Sequence, residues 1–391
     1  MISDITGRVK LTGQGAETTI VDAGKGDRLF DVRPNARFWL SNVTLQSGKP
    51  VDFAEDGGAI RMLGDPRQSS LEISNAVLEG SESGGNGGAV FGTASIRDSV
   101  IRRNTAKYYG GGLYGTVTVE GSLITQNTAS GGGGVLGIRA SIRRSIIADN
   151  TARGGGGVTL NGGVLYGVLV RGNTASDDRG GGVFLSGEPA RVEGSVIDAN
   201  RARIGGGVYQ DAYTTLELVN SMISSNTATE RAGGMLSLWN TTVAFSSFVR
   251  NSAPSGGGLA LQNQNRPDRV DAFHGVLFAE NIAPQGPECL GKLTSSGYNL
   301  VQNPADCLFN AAYRNKAGVV TDKVGENPGL QSVSDRFFGT LLVPGRSSGA
   351  ANWVPKADCA MPNGAPLEVD LTGGSRVRGT GCEIGAVEAT P

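Results

Sequence analysis

Apolar and aromatic residues recur at regular intervals in this sequence, each directly after the aliphatic residue that follows a glycine cluster. The positions are Phe91, Tyr114, Leu136, Thr159, Phe184, Tyr209, Leu236 and Ala260. Strand alternation predicts that these side chains point outward. An outward row rich in aromatic rings is typical of a binding face, either for stacking on sugar rings or for docking a partner. A covering loop, or a register shifted by one residue, is the alternative.

The tract Asp177-Asp178-Arg179 is a second candidate for chemistry. It lies in a repeat lengthened to 27 residues, from Asn173 to Asn200, so it is predicted to protrude. Paired carboxylates can act as general acid and general base in glycoside hydrolysis. A solvated loop is the simpler interpretation, and such a loop could also contribute to ligand binding.

Other charged side chains fit structural roles more simply. Arg97, Glu120 and Arg143 occupy the same position in successive repeats, which predicts an outward ladder of alternating charge. Cross-strand ion pairs of about 0.2–1 kcal/mol each would explain it, and a catalytic cluster is the alternative. The only histidine, His274, has no Gly-x-Ser-x-Gly element to pair with, which favours a surface or packing role over a catalytic one.

Metal and cofactor sites have little support in the sequence. Glycine runs such as 154–157 lack the Gly-Lys-Ser/Thr ending and the following helix of a phosphate-binding loop. They also lack the aspartate of glycine-rich calcium repeats, and a lone histidine without a Cys-x-x-Cys pair argues against zinc. No cofactor is predicted, although scattered carboxylates leave Ca²⁺ open.

The four cysteines, Cys289, Cys307, Cys359 and Cys382, all lie towards the end of the chain. An even number near the end of a repeat array predicts two disulfides that staple irregular terminal structure. Three pairings are possible, and proximity favours Cys289–Cys307 and Cys359–Cys382. Each would contribute ~3 kcal/mol through loop closure. Four buried free thiols are the alternative.

An internal repeat positions these candidates. Asparagine followed two residues later by alanine recurs from residue 104 to residue 283, most often with threonine or serine between them, and the spacings are 23, 23, 23, 27, 26, 25 and 30 residues. The asparagines are Asn104, Asn127, Asn150, Asn173, Asn200, Asn226, Asn251 and Asn281. A bulky apolar residue stands three positions before each asparagine, and a glycine cluster follows each of the first seven.

The apolar pieces of each repeat are short and rich in β-branched residues, which is typical of strands. A repeat of 23 residues is too short for a strand–helix crossover or a four-stranded propeller blade. The sequence therefore predicts an all-β fold, a right-handed parallel β-helix, or solenoid, of about ten coils. Glycine supplies positive φ at the corners, and the asparagine amides are expected to form a ladder along the stack.

We expect the β-helix over residues 1–286 and an irregular, disulfide-stapled cap over residues 287–391 that shields the open end from edge pairing. The charge is balanced, with 35 basic and 36 acidic residues, and no basic stripe predicts nucleic-acid binding. No apolar run approaches the ~18 residues of a membrane-spanning helix. We expect a monomer.

Two short motifs occur along the repeats. Gly-Gly-Ala-Ile/Val occupies residues 57–60 and 87–90, and Phe-x-x-Asn occupies residues 248–251 and 278–281. Both motifs resemble the signature repeats of chlamydial polymorphic outer-membrane protein passengers. Most other repeats have isoleucine in place of the phenylalanine.

The C-terminal third carries a second set of motifs. They are Cys289, Gly297-Tyr298-Asn299-Leu300, Cys307, Asn327-Pro328-Gly329-Leu330 and Cys382-Glu383-Ile384-Gly385-Ala386-Val387-Glu388. This pattern resembles bacterial secreted β-helix proteins of the choice-of-anchor type, and residues 13–23 resemble the segment that opens such helices. The resemblance covers nearly the whole chain and implies a bacterial protein outside the cell or on its surface. Its motifs are structural, so it implies no single activity.

The expected function is non-catalytic binding of a polysaccharide or a cell-surface component, as in adhesin-like passengers, by analogy of fold. The first alternative is a polysaccharide lyase or glycoside hydrolase that acts on an acidic or neutral glycan near the lengthened repeats between residues 173 and 281. The second is a structural spacer. An exposed aromatic row without convergent titratable groups would favour the binding protein. A groove lined by two carboxylates, or by an Arg/Lys–Tyr pair, would favour the enzyme.

Overall fold

The computed structural model describes residues 3–52, 54–65, 67–262, 265–309 and 319–388. They form short parallel strands with almost no helix, stacked as a parallel β-solenoid of about 12 turns. The predicted all-β parallel β-helix is therefore confirmed, with about 12 turns where about ten were predicted. The chain divides into two compact units. Unit 1 comprises Met1–Val164 and Val170–Phe184, and unit 2 comprises Leu165–Leu169 and Leu185–Pro391.

In unit 1 each coil contributes strands to up to three parallel sheets, called A, B and C here. Sheet A contains Ser3–Ile5, Arg8–Thr12, Phe30–Val32, Arg37–Ser41, Ile60–Met62, Ser70–Ser74, Val90–Phe91, Ala94–Arg97, Leu113–Gly115, Val117–Glu120 and Val135–Arg143. Sheet B contains Ile20–Asp22, Thr44–Gln46, Val77–Glu79, Val100–Arg102, Leu123–Thr125 and Ile146–Ala148. Sheet C contains Glu82–Ser83, Thr105–Ala106, Thr128–Gly131, Thr151–Gly154 and Thr174–Ala175. The chain passes between the units within Val158–Tyr166, Leu169–Arg171 and Val183–Glu193.

Unit 2 has the equivalent sheets. Its A strands are Val208–Gln210, Leu216–Val219, Met235–Ser237, Thr241–Ala244, Leu259–Leu261, Asp271–His274, Cys289–Leu293 and Cys307–Phe309. Its B strands are Val196–Asp198, Met222–Ser224, Ser247–Val249, Leu277–Ala279, Leu300–Val301 and Lys323–Val324, and its C strands are Arg201–Ile204 and Thr227–Arg231. Two antiparallel pairs follow, Gln331–Asp335 with Gly339–Val343 and Val354–Pro355 with Gly381–Cys382, together with a 3-10 turn at Lys356–Asp358.

A ladder of buried asparagines holds the turn between sheets B and C. The Asn127 side-chain amide donates to Oδ1 of Asn150 in the next coil and to the carbonyl oxygens of Ile101 and Thr125, each at 3.0 Å. Asn127 Oδ1 in turn accepts from the backbone and side-chain N–H groups of Asn104, both at 3.0 Å. Because these bonds satisfy a fully buried side chain, the asparagines are structural and are poor candidates for chemistry.

The glycine cluster after each asparagine has two separate physical causes. Gly132 has a φ of +61°, the left-handed conformation that turns the corner between sheets C and A. Gly134 instead lies against the ladder, and a Cβ there would sit 3.1 Å from Cγ and Nδ2 of Asn150. The cluster therefore serves the stack and does not form a phosphate-binding loop.

Rows of apolar side chains fill the interior and keep the coils in register. Ile101, Ile124 and Ile147 pair in sheet B and are fully buried. In unit 2 the equivalent position holds Phe248 and Phe278, whose rings stack with centroids 5.0 Å apart. Burial of each such side chain contributes about 1.5–3 kcal/mol to stability. Because side chains alternate along a strand, holding these rows inside also fixes which side chains point outward.

Parallel pairing in unit 2 continues beyond residue 286, where the sequence predicted an irregular cap. In sheet B, Leu277 pairs with Leu300, and Leu300 with Lys323. The predicted disulfides are both confirmed. Their members are Cys289–Cys307, with Cα atoms 5.0 Å apart, and Cys359–Cys382, with Cα atoms 6.2 Å apart. Residues 310–318 and 389–391 of the predicted cap lie outside the described residues.

Arg376 anchors the C-terminal strap, which we define as residues 369–388, to the coils of unit 2. Its fully buried guanidinium donates to Oδ1 of Asn220 and, at 2.8 Å, to Oε1 of Glu388. Burial lowers the pKa of Arg376 to about 10, so the group is still charged at neutral pH and needs these partners.

Two backbone contacts extend this attachment. The Gly385 N–H donates to the carbonyl oxygen of Gly275 at 2.8 Å, and the Ala386 N–H donates to Oγ of Ser247 at 3.0 Å. Gly275 lies at the corner between sheets A and B, and Ser247 is the first residue of the sheet B strand in the preceding coil. These contacts attach the strap to successive coils of unit 2, and the shielding of the open end by residues 287–391 stays a prediction.

Candidate functional site

In unit 1 the predicted outward row is half-buried rather than covered. Phe91 pairs with Tyr114, and Tyr114 pairs with Leu136, in the parallel register of sheet A. The Phe91 and Tyr114 rings stack, with centroids 5.2 Å and planes 4° apart. The preceding residues, Val90 and Leu113, are fully buried, so alternation does put these two rings on the outer face.

In unit 2 the same row is buried. Tyr209 and Leu236 are each 3% exposed, and Ala260 is 1% exposed. Val208, the inward neighbour of Tyr209, is buried too, so both faces of this strand are covered. Alternation decides to which face a side chain belongs, but not whether another segment lies over that face. The prediction of an exposed ring at Tyr209 is therefore wrong.

The exposed part of the row leads into a groove of unit 1 with a volume of about 520 Å³. Gly131 and Gly154, which pair in sheet C, form its floor. Leu136, Thr159 and Phe184 line the side that faces sheet A. Because glycine has no side chain, the corners between sheets C and A leave this space open.

Tyr109 also lines this groove. It bridges to Gly131 in the next coil, where Gly131 pairs in turn with Gly154. A Cβ on Gly131 would lie 2.9 Å from Cδ1 of Tyr109, so the ring lies directly over the glycine. Tyr109 is 49% exposed and offers both an apolar ring and a hydroxyl to a ligand.

Charged side chains line the remaining side. Arg153 Nε donates to Oδ2 of Asp177 at 3.1 Å, and Oδ1 of Asp178 lies 3.1 Å from Nε of Arg179. The side chains of Asp177 and Asp178 are 58% and 48% exposed. Solvent screens ion pairs at such exposure, so the carboxylates can accept hydrogen bonds from a ligand as well. Arg153 and both aspartates line the groove, but Arg179 does not.

The groove thus brings together only part of the predicted ligand-binding set. Phe184, Asp177 and Asp178 line it, and the remaining predicted residues do not: Phe91, Tyr114, Tyr209 and Arg179. Tyr109 and Arg153 were missed. The role of the first depends on Gly131 of the next coil, and that of the second on Asp177, which is 24 residues away in sequence.

Two other candidates have structural partners. Arg97 and Glu120 pair across adjacent strands, with Nε and Oε2 4.0 Å apart. His274 is 7% exposed, and its two ring nitrogens lie 2.9 Å from the carbonyl oxygens of Ser296 and Asp358. Held between two backbone carbonyls, the imidazole ties the turn at residues 356–358 to the coils.

Metal binding has no preformed site in the part of the chain that the structure describes. No group of three or more His, Cys, Asp or Glu side chains is placed there to hold an ion. Ca²⁺ binding, which the sequence left open, stays untested. Over the same residues, no helix is both long enough and apolar enough to cross a membrane.

Comparison with known proteins adds no family to this geometry. No protein-family model, curated protein or solved structure matches the chain. The role of the groove must therefore be argued from its own residues and from the fold that positions them.

Proposed function

We propose that this is a secreted or cell-surface β-helix protein that binds carbohydrate, without cleaving it, in the groove beside Tyr109 and Phe184. The composition of the groove is the observation that carries the proposal, because apolar and aromatic surface faces a guanidinium and two carboxylates across a glycine floor. The C–H face of a sugar ring packs on aromatic rings, and its hydroxyl groups bond to charged side chains.

The environment of the two carboxylates favours binding over glycoside hydrolysis. A hydrolase needs one carboxyl group kept protonated by apolar surroundings next to a second that is ionised. Asp177 and Asp178 are both about half-exposed, and each lies beside an arginine. Neither therefore has the buried setting of an acid catalyst, and both are suited to accept hydrogen bonds from sugar hydroxyls.

The proposed location rests on the disulfides and on sequence resemblance. Two disulfides are typical of a protein that folds in an oxidising compartment. The C-terminal motifs resemble those of choice-of-anchor β-helix proteins, and the repeats resemble polymorphic outer-membrane protein passengers. Both resemblances support a bacterial surface or extracellular location, where glycan binding would serve an adhesin-like attachment.

The test is binding and cleavage of a panel of neutral and acidic glycans by the wild type, Tyr109→Ala and Phe184→Ala. Tyr213→Ala is the matched control, because Tyr213 is 66% exposed and does not line the groove. One aromatic contact of ~0.5–1.5 kcal/mol predicts a ~2–10-fold weaker Kd for each groove variant. Circular dichroism checks that all variants keep their β structure.

Three results would contradict the proposal. Binding that both groove variants leave unchanged would put the ligand elsewhere on the protein. Release of shorter saccharides by the wild type, abolished in Asp177→Asn or Asp178→Asn, would show that the protein is a hydrolase and not a non-catalytic binding protein. Absence of binding to every glycan in the panel would favour the spacer.

A further inference from the structure

A second cavity of unit 1, about 470 Å³ in volume, is lined by three lysines. The Nζ atoms of Lys25 and Lys49 each lie 2.7 Å from a different oxygen of the same carboxylate, Glu82. The hydrogen bonds from these lysines lower the pKa of Glu82, so it is ionised at neutral pH. Two ammonium groups thus share one carboxylate.

Lys107 adds a third positive charge to this lysine cavity. Among the described residues, no carboxylate oxygen lies within 4.0 Å of its Nζ atom. The ammonium lies instead over the ring of Tyr108, 5.2 Å from its centroid. Asp52 is the second carboxylate of the lining, with Glu82, so three lysines outnumber two acids and the cavity carries a net positive charge.

The lysine cavity is next to the groove both in sequence and in the order of the stacked coils. Lys107 lines the cavity, and Tyr109, only two residues later, lines the groove. Lys25, Lys49 and Glu82 follow sheet B strands that pair in succession, and Glu82 pairs with Thr105 in the coil of Lys107. From Lys25 to the coil of Phe184 there are about six coil spacings, or ~29 Å at ~4.8 Å each.

The two sites differ in charge. The groove holds two aspartates and one arginine, which disfavours a negatively charged ring. The lysine cavity favours one. An extended ligand that suits both sites carries its negative groups at one end and an uncharged ring at the other.

We infer that the ligand of the groove is an acidic glycan, whose carboxylate or sulfate groups bind Lys25, Lys49 and Lys107 while an uncharged ring of the same chain occupies the groove. This inference rests on the proposed function, since it names the class of glycan. Lys107 is the key contact, because its ammonium is the one of the three without a carboxylate partner in the described structure.

The test measures Kd by titration calorimetry for the full chain with hyaluronan fragments, in which uronic acids alternate with uncharged rings, and with neutral galactan fragments. Galacturonan fragments, in which every ring is charged, should bind more weakly than hyaluronan fragments of the same length. The variants are Lys107→Gln and the double variant Lys25→Gln/Lys49→Gln, with the exposed Lys356→Gln as the matched control. Each lysine that contacts an anionic group predicts a ~2–5-fold loss of affinity for the acidic fragments. The loss should shrink as salt is raised, because salt screens exposed charges.

The outcomes separate this inference from the proposed function. Weaker binding of acidic fragments in the lysine variants and also in Tyr109→Ala supports a ligand that spans both sites. Equal affinity for acidic and neutral fragments, unaffected by the lysine variants but reduced in Tyr109→Ala, overturns the inference and leaves carbohydrate binding in the groove intact. Acidic binding that needs the lysines but not Tyr109 also overturns it, because the ligand then does not span the groove.

Discussion

Glu288 ends the asparagine ladder of unit 2, and its ionisation should weaken that unit as the pH rises. Asn251 donates to Oδ1 of Asn281 at 2.9 Å, and the Asn281 amide donates in turn to Oε2 of Glu288. In earlier coils this acceptor is the next asparagine. Glu288 aligns with Gly258 of the preceding coil, and its carboxyl group replaces the ladder acceptor that the sequence no longer supplies.

The loss of stability on ionisation depends on how deeply this carboxyl group is buried, and Glu288 is only 2% exposed. Burial raises the pKa of Glu288 from 4.5 to about 7, against the opposing hydrogen bond from Asn281. The folded protein thus holds the proton more tightly than the unfolded chain. The stabilising contribution is full below the unfolded pKa of 4.5 and is lost as the pH rises through about 7. The full loss corresponds to ~3 kcal/mol.

Glu288→Gln tests this reasoning, because glutamine keeps an oxygen acceptor for Asn281 but cannot ionise. We expect the free energy of unfolding of the variant, relative to that of the wild type, to be about 2–3 kcal/mol higher at about pH 8 than at about pH 5. Guanidinium chloride unfolding followed by circular dichroism measures the difference. Glu230→Gln is the control, since the Glu230 side chain is 55% exposed and pairs with Arg203. A difference between wild type and Glu288→Gln that stays constant from about pH 5 to about pH 8 would refute the argument.

Three further predictions concern the ladder, the groove and the strap. Asn127→Ala leaves several buried partners without a hydrogen bond, so the free energy of unfolding should fall by about 3 kcal/mol or more in chemical denaturation; a loss below about 1 kcal/mol would show that water replaces the amide. Gly154→Ala puts a methyl group on the groove floor and should weaken glycan binding in calorimetry, whereas Gly7→Ala, where a Cβ meets nothing within 4 Å, should not; equal effects would contradict the assigned floor. Arg376→Met leaves Glu388 buried without its cation and should cost about 3–5 kcal/mol, seen as faster hydrogen exchange in residues 369–388; unchanged exchange would mean that the strap is held elsewhere.

Part of the groove was predictable from sequence. Alternation after the glycine cluster placed Phe184 on the outer face, and the lengthened repeat indicated that Asp177 and Asp178 lie near the surface. Tyr109 was not predicted, because its role comes from lying over Gly131 of the next coil. Tyr209 shows the converse, since the same pattern that exposes Phe184 leaves Tyr209 only 3% exposed.

The repeat by itself determined the parallel coils and the asparagine ladder, and the proximity of the cysteines in sequence favoured the two disulfides. Each residue of a solenoid packs against its own counterpart one coil away, so a pattern repeated in sequence becomes contact in space. Only the tertiary structure decided which faces are covered and where the strap attaches. Arg376 bonds to Asn220, 156 residues earlier, and no period links the two. The burial that shifts the pKa of Glu288 is likewise set by all the segments around it, so a local motif cannot reveal it.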